Sequence, residues 1–142
     1  MESSLLGLVL ESSTLINAER RGLSAAQAMR SVRAVVGSAD IVLSAITIAE
    51  IGHGIYRART PDIRARRRAF LDDLKASVPV YPVTADTAGI VARTGGELAA
   101  KGINLQFADL LIAACALEIG FAIGTTNVRD FARIPGLKVI TL

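Results

Sequence analysis

This chain of 142 residues carries 13 carboxylates, and a few stand where structure alone gives them little to do. Asp109 opens a segment through Leu117 that has no other charged residue. An ionised carboxylate in apolar surroundings is costly unless it is paired or metal-bound. The alternative is service to a helix N-terminus, where an acid contributes about 0.3–1 kcal/mol. Glu11 directly follows the apolar run 5–10, and it reads either as a site acid or as a surface ion-pair partner. Glu50 has two readings as well. Thr47 and Glu50 have the spacing of a capping box, yet Glu50 also falls near the start of the helix that follows the apolar run 41–43. Thr125, Asn127 and Asp130 follow a further apolar run, 121–125. They fit a turn, a cap and a solvated acid, or the rim of the same site.

If these acids converge, repulsion decides the chemistry. Two like charges 4 Å apart cost about 4 kcal/mol at an effective dielectric near 20. A third carboxylate then requires a cation, or a proton on one of the three. The single His53 and single Cys115 exclude a multi-histidine site and a cysteine-based zinc site. An all-oxygen donor set favours Mg²⁺ or Mn²⁺. Such a cation can activate a water and stabilise charge on a phosphoryl oxygen.

Positioning acids so far apart in sequence is a task for topology. Hydrophobic residues make up 51% of the chain and aromatics 4%, with no Trp, so the core must be built from Ala, Val, Ile and Leu. That filling suits a parallel sheet buried on both faces. Apolar runs at 5–10, 41–43, 78–83, 121–125 and 137–141 read as strands. Helical spacing reads over 12–21, 24–36, 47–59, 62–77, 85–101 and 107–119, with a helical turn at 128–131. Ser12 or Ser13, then Ser24 and Thr84, are the expected N-caps, and Gly37, Gly102 and Gly120 the expected stops. Pro79 and Pro82 suit a strand at the sheet edge. The alternation predicts one α/β domain over 1–142, a parallel doubly wound sheet of four to five strands flanked by helices. Ligands of such sheets bind outside the carboxyl ends of the strands, where Glu11, Glu50 and Thr125 fall.

Net charge is +3 and uneven. Arg57, Arg59, Arg64, Arg66, Arg67, Arg68 and Lys75 are seven of the 16 basic residues, and 102–128 has none. The basic stretch reads as phosphate contacts, with Arg57 the candidate nearest the second acid, as a solvated face balanced by Asp62, Asp72 and Asp73, or as a partner surface. Tyr56 beside Arg57 is the one aromatic placed to meet a base, and it reads equally as a core or rim residue. No apolar run approaches the ~18 residues of a membrane span, and no stretch reads as a signal peptide, so a cytoplasmic chain is expected.

The same residues resemble those of PIN-domain proteins, specifically the VapC-type toxin ribonucleases of toxin–antitoxin pairs. Leu10-Glu-Ser-Ser-Thr-Leu-Ile16 resembles the family's opening strand and helix, normally written Leu-Asp-Thr-Ser-Val-Leu-Ile. Ile46-Thr-Ile-Ala-Glu-Ile51 resembles the second-acid helix, and Ala108-Asp-Leu-Leu-Ile-Ala-Ala114 is the most specific piece. Thr125-Thr-Asn-Val-Arg-Asp-Phe131 with Ile134-Pro-Gly-Leu-Lys-Val139 closes the match. The resemblance implies that Glu11, Glu50 and Asp109 occupy three metal-site positions. Asn127 falls where many members carry a fourth acid, with Asp130 a nearby substitute, and Ser13 and Thr125 match hydroxyl positions beside the site. It also implies Mg²⁺- or Mn²⁺-dependent cleavage of RNA (tRNA or rRNA in members), a cognate VapB-type antitoxin and a homodimer. Glu11 stands where the family has Asp, which moves the carboxylate by roughly 1.5 Å; a misplacement near 1 Å can cost on the order of 10²-fold in rate. The rival expectation is therefore a catalytically weakened module acting through antitoxin or RNA binding. A phosphoacceptor receiver domain is a poorer rival, because its paired acids and distal Lys are missing.

Overall fold

The computed structural model describes residues 5–142. Its elements run β1 (Gly7–Leu10), α1 (Ser12–Arg20), α2 (Ala25–Val36), β2 (Asp40–Ser44), α3 (Ala45–Tyr56), α4 (Pro61–Ser77), β3 (Val80–Tyr81), α5 (Ala85–Ala100), α6 (Phe107–Ile119), β4 (Ala122–Thr125), α7 (Val128–Phe131) and β5 (Val139–Thr141). All four strand pairings are parallel, in the order β3-β2-β1-β4-β5. The chain builds outward from β1 to β3 on one side, then returns to add β4 and β5 on the other. The switch point, where ligands of open parallel sheets bind, therefore lies between the carboxyl ends of β1 and β4. The single α/β sheet expected from the sequence is the one observed.

Strand period two divides the interior. Leu8 and Leu10 of β1 face a core completed by α1, α2, α3 and α4. Val9 faces the opposite core, with Ile123, Phe131 and the apolar α6. Helix α6 has buried residues on nearly every side, as its lack of a polar face requires. Helix limits follow local chemistry. Ser24 and Gln27 form a reciprocal capping box. Thr60 caps α4 with Pro61 in its first turn, and Gly120 ends α6 in the left-handed conformation. No helix among the described residues is long and apolar enough to cross a membrane.

Several boundaries differ from the expectation. The run 78–83 contributes only Val80 and Tyr81 to the sheet, because its flanking prolines cannot donate to a ladder. The second strand extends to Ser44, which caps α3 by accepting from the Ile46 amide at 3.1 Å. Helix α3 thus starts two residues earlier than read and stops at Tyr56. No Thr47–Glu50 capping box forms. The N-cap of α1 is neither Ser12 nor Ser13 but Glu11, whose side chain accepts from the Ser13 amide.

One arginine of the basic stretch is consumed by packing. Arg67 donates from Nε to Glu19 Oε1 at 3.2 Å and from Nη1 to the Gly54 carbonyl at 2.7 Å, so it fastens α4 to α1 and α3. Glu19 is only 5% exposed, and its Oε2 has no partner. Removing one member of a buried ion pair leaves the other uncompensated. Arg67→Ala is expected to cost about 3 kcal/mol in urea unfolding, and Glu19→Leu combined with Arg67→Met to recover most of it. Equal losses in the single and double variants would show that the pair is not what holds these helices.

Candidate active site at the sheet switch point

Glu11 leaves the end of β1 and caps its own helix. Its Oε2 accepts from the Ser13 amide at 2.6 Å, and its Oε1 accepts from the Ser13 hydroxyl and from Thr125 Oγ1 at 2.8 Å. Thr125 is the last residue of β4 and fully buried, so a hydrogen bond ties the two strand ends at the switch point. Its Oγ1 also accepts from the Asn127 amide at 2.8 Å, which folds the turn after β4 toward Glu11. Glu11 is 4% exposed. A carboxylate that buried requires such donors, and a helix N-terminus favours its negative charge.

Glu50 lies on the second turn of α3 and is half-buried. It accepts from Ser12 Oγ at 2.7 Å, and the same hydroxyl bonds Thr47 Oγ1 at 3.0 Å. Adjacent residues of α1 therefore serve different acids, Ser13 serving Glu11 and Ser12 serving Glu50. Ser12 and Thr47 were not singled out as site residues in the sequence. Their signal was slight: a hydroxyl beside each acid, indistinguishable from a helix cap until the strands pair.

Asp109 enters from the first turn of α6, with no side-chain cap on that helix. Its carboxyl is pushed up to about 6 by burial, and then by the charges of Glu11, Glu50 and Asp130 in that order. Four acids from four elements thus share one electrostatic neighbourhood. Asn127 is exposed and does not cap α7 through its side chain; it donates from Nδ2 to Asp130 Oδ2 at 2.9 Å. Arg57 is exposed at the far end of α3, apart from the acid cluster but on the same helix as Glu50. The Tyr56 ring meets Arg68, whose guanidinium carbon is 5.6 Å from the ring centroid, rather than Arg57. None of the basic stretch pairs with Asp62, Asp72 or Asp73 among the described residues; its ion pairs are Arg66 and Arg67 with Glu19. Cys115 is buried and its thiol is pushed up to about 11, first by burial and then by Glu118, which makes it inert.

The donor chemistry can be tested against a divalent cation. Among the described residues, no three His, Cys, Asp or Glu side chains form a ready-made cage. A carboxylate offers about four acceptor positions, and Glu11 spends three of them on protein donors. One remains on Oε2. Mg²⁺ keeps several waters and takes one or two carboxylates directly. Acids within repulsive range of one another but outside a closed cage fit that water-rich mode.

Comparison with known proteins identifies the fold. The PIN domain family model matches residues 8–137. The chain belongs to the PIN-domain family. Within it, the chain is 30% identical to ribonuclease VapC1 of Rickettsia felis over 137 residues, covering 96% of this chain and 97% of that protein. It is 27% identical to the tRNA(fMet)-specific endonuclease VapC of Salmonella typhimurium over 104 residues, 73% of this chain and 76% of that one. Solved structures superpose closely. The VapBC2 complex of Rickettsia felis bound to a promoter DNA fragment gives a TM-score of 0.81 at 21% identity, covering 95% of this chain and 98% of the other. VapBC-5 of Mycobacterium tuberculosis gives 0.74 at 28% identity, with 96% and 98% covered. The PIN fold and the VapC likeness read from the sequence are therefore borne out.

The raised Asp109 carboxyl carries a sign. Its folded value of about 6 lies above the ordinary 3.8, so the metal-free fold holds the proton more tightly than the unfolded chain does. That contribution is present below about pH 4 and lost as pH rises through about 6. Asp109→Asn removes the charge and is expected to stabilise the metal-free PIN domain at pH 7.5 by about 1 kcal/mol, after discounting for solvent screening. At pH 4 the difference should vanish. A thermal-melt series from pH 4 to 8 checks this, and a destabilised Asn variant at pH 7.5 contradicts it.

Proposed function

We propose that this PIN domain is a divalent-cation-dependent endoribonuclease and the toxin half of a toxin–antitoxin pair. The observation that carries the reading is the electrostatic convergence of Glu11, Glu50 and Asp109, with Asp130 beside them, at the switch point. Their mutual repulsion is what a bound cation relieves. Glu11, Glu50 and Asp109 would hold Mg²⁺ or Mn²⁺. When bound, the cation would supply an activated water and charge stabilisation at a phosphoryl oxygen.

The chain's own residues account for the rest. Thr125 and Ser13 hold the Glu11 carboxylate, and Ser12 holds that of Glu50. Glu11 and Glu50 are thus fixed before substrate arrives, which lowers the reorganisation needed at reaction. The Asn127–Asp130 pair stands at the rim, where Asp130 fits the part of a fourth acid and the Asn127 amide that of a phosphate donor. RNA as substrate is supported by relatives named as ribonucleases, one of them for tRNA(fMet). A VapB-type antitoxin is supported by solved neighbours that are VapBC complexes. The homodimer and a cytoplasmic setting are family expectations.

Purified protein is expected to cut total RNA with Mn²⁺ or Mg²⁺ and to stop in excess EDTA. Asp109→Asn should lower the rate at least about 10²-fold while remaining folded. Cleavage that persists in EDTA, or in that variant, would overturn the proposal. Thr125→Val removes the buried donor to Glu11, with an expected cost of about 1–3 kcal/mol and a tenfold or greater loss of rate. Thr125→Ser should restore both, since it keeps the hydroxyl.

One observation favours a second reading. Glu11 has one methylene more than the family's Asp and most of its acceptor capacity already engaged, which is what a weakened module would show. Cleavage mapping on total RNA with wild type and Glu11→Asp side by side separates the two. The weakened-module reading expects cuts only from Glu11→Asp, and the enzyme reading expects them from wild type.

A further inference from the structure

A cavity of about 140 Å³ opens on the α1–α3–α4 side of the acid cluster, and Glu50 belongs to both. Glu50, His53 and Arg57 are spaced three and four residues apart, so they share one face of α3. That face runs from the acids into the cavity. Arg20, the last residue of α1, lines it from the opposite wall, and Ile16, Ile51 and Phe70 add apolar surface.

The two walls differ in what their cations are doing. Arg67 also lines the cavity, but its guanidinium is committed to Glu19 and Gly54. Arg20 and Arg57 are exposed and make neither an ion pair nor a side-chain hydrogen bond among the described residues. Two unpaired guanidinium groups flanking one cavity that begins at an acidic centre offer a place for an anion. A planar guanidinium matches phosphate oxygens through paired N–H donors. The size argues further. The space can take one flat base, and the aliphatic walls suit its face.

We infer that this cavity is a nucleotide subsite for single-stranded RNA, in which Arg20 and Arg57 hold a phosphate neighbouring the one at the acids. The inference rests on the ribonuclease reading and gives that site its substrate path, from Asp109 and Glu50 along α3 to Arg57. Glu19 and Arg67 form the fixed wall and do not contact the strand.

The test is binding of a fluorescein-labelled mixed-sequence 15-nucleotide single-stranded RNA by anisotropy. It is done in EDTA on the full chain carrying Asp109→Asn, so that the probe stays intact. Adding Arg20→Ala and Arg57→Ala is expected to weaken binding roughly tenfold and to flatten the slope of log K against log salt by about 0.7, for the one phosphate no longer held. Arg93→Ala with Lys101→Ala removes the same charge elsewhere and should change affinity less than about twofold. Gly54→Leu is expected to weaken binding by filling the cavity; a Cβ there meets only Arg67 Nη1, at 3.8 Å, so the branch begins in ordinary contact, and a thermal melt checks that the variant is folded. The inference is overturned if the Arg20/Arg57 variant binds like its parent, as it would were the cavity the seat of a protein partner's side chain. It is equally overturned if the Arg93/Lys101 control loses as much, or if folded Gly54→Leu binds normally. Cleavage of total RNA by otherwise wild-type protein separates this from the parent reading. Cleavage by wild type with an unchanged KM in the arginine variant removes the subsite alone, and no cleavage by wild type removes the nuclease reading.

Discussion

Like charges do not gather unless the rest of the molecule makes them. In this PIN domain, Glu11, Glu50, Asp109 and Asp130 share one neighbourhood, and the fold is organised around tolerating that. A parallel sheet that reverses its build direction at β1 places two strand ends side by side, and the acids arrive from the elements next to those ends. The cost of the arrangement falls on Asp109, which has no side-chain donor among the described residues, and whose carboxyl is raised first by burial and then by its acidic neighbours.

Hydroxyls do the local work. Ser12, Ser13, Thr47 and Thr125 all turn toward carboxylates or toward one another. A hydroxyl donates without adding positive charge, so it steadies a carboxylate while leaving its charge available. An arginine in the same place would neutralise the site. The chain shows that contrast elsewhere, since Glu19 is held by Arg67 and becomes part of a wall. Two buried glutamates at opposite ends of α1 therefore have opposite fates, set by the chemistry of their donors.

The fold was legible in the sequence because strand and helix periods alternate and Gly37, Gly102 and Gly120 stand at or just past three helix ends. Helix α6 was read to the residue, from an apolar run bounded by Gly120. Strand β3 was overread, since prolines shorten a strand in a way that hydropathy does not register. Asp109 was legible as a charge with no local reason. Glu50 was ambiguous because Thr47 mimics a capping box, and only the pairing of Ser12 with both residues resolves it. Glu11 as a helix cap was missed, because two serines follow it and serine is the commoner cap. Arg67 was hidden among six other basic residues; its packing role depends on Glu19, 48 positions away, and no local pattern carries that.

The sheet's outer margins have a consequence for assembly. One margin, β3, is two residues long between prolines, and the other, β5, has three. Neither presents enough free amides and carbonyls to template a neighbouring strand. Both described margins are thus poor templates for extending the sheet across molecules. The helices that cover its faces offer the broader surface, and their side chains can change one at a time without shifting the register that sets the acids in place.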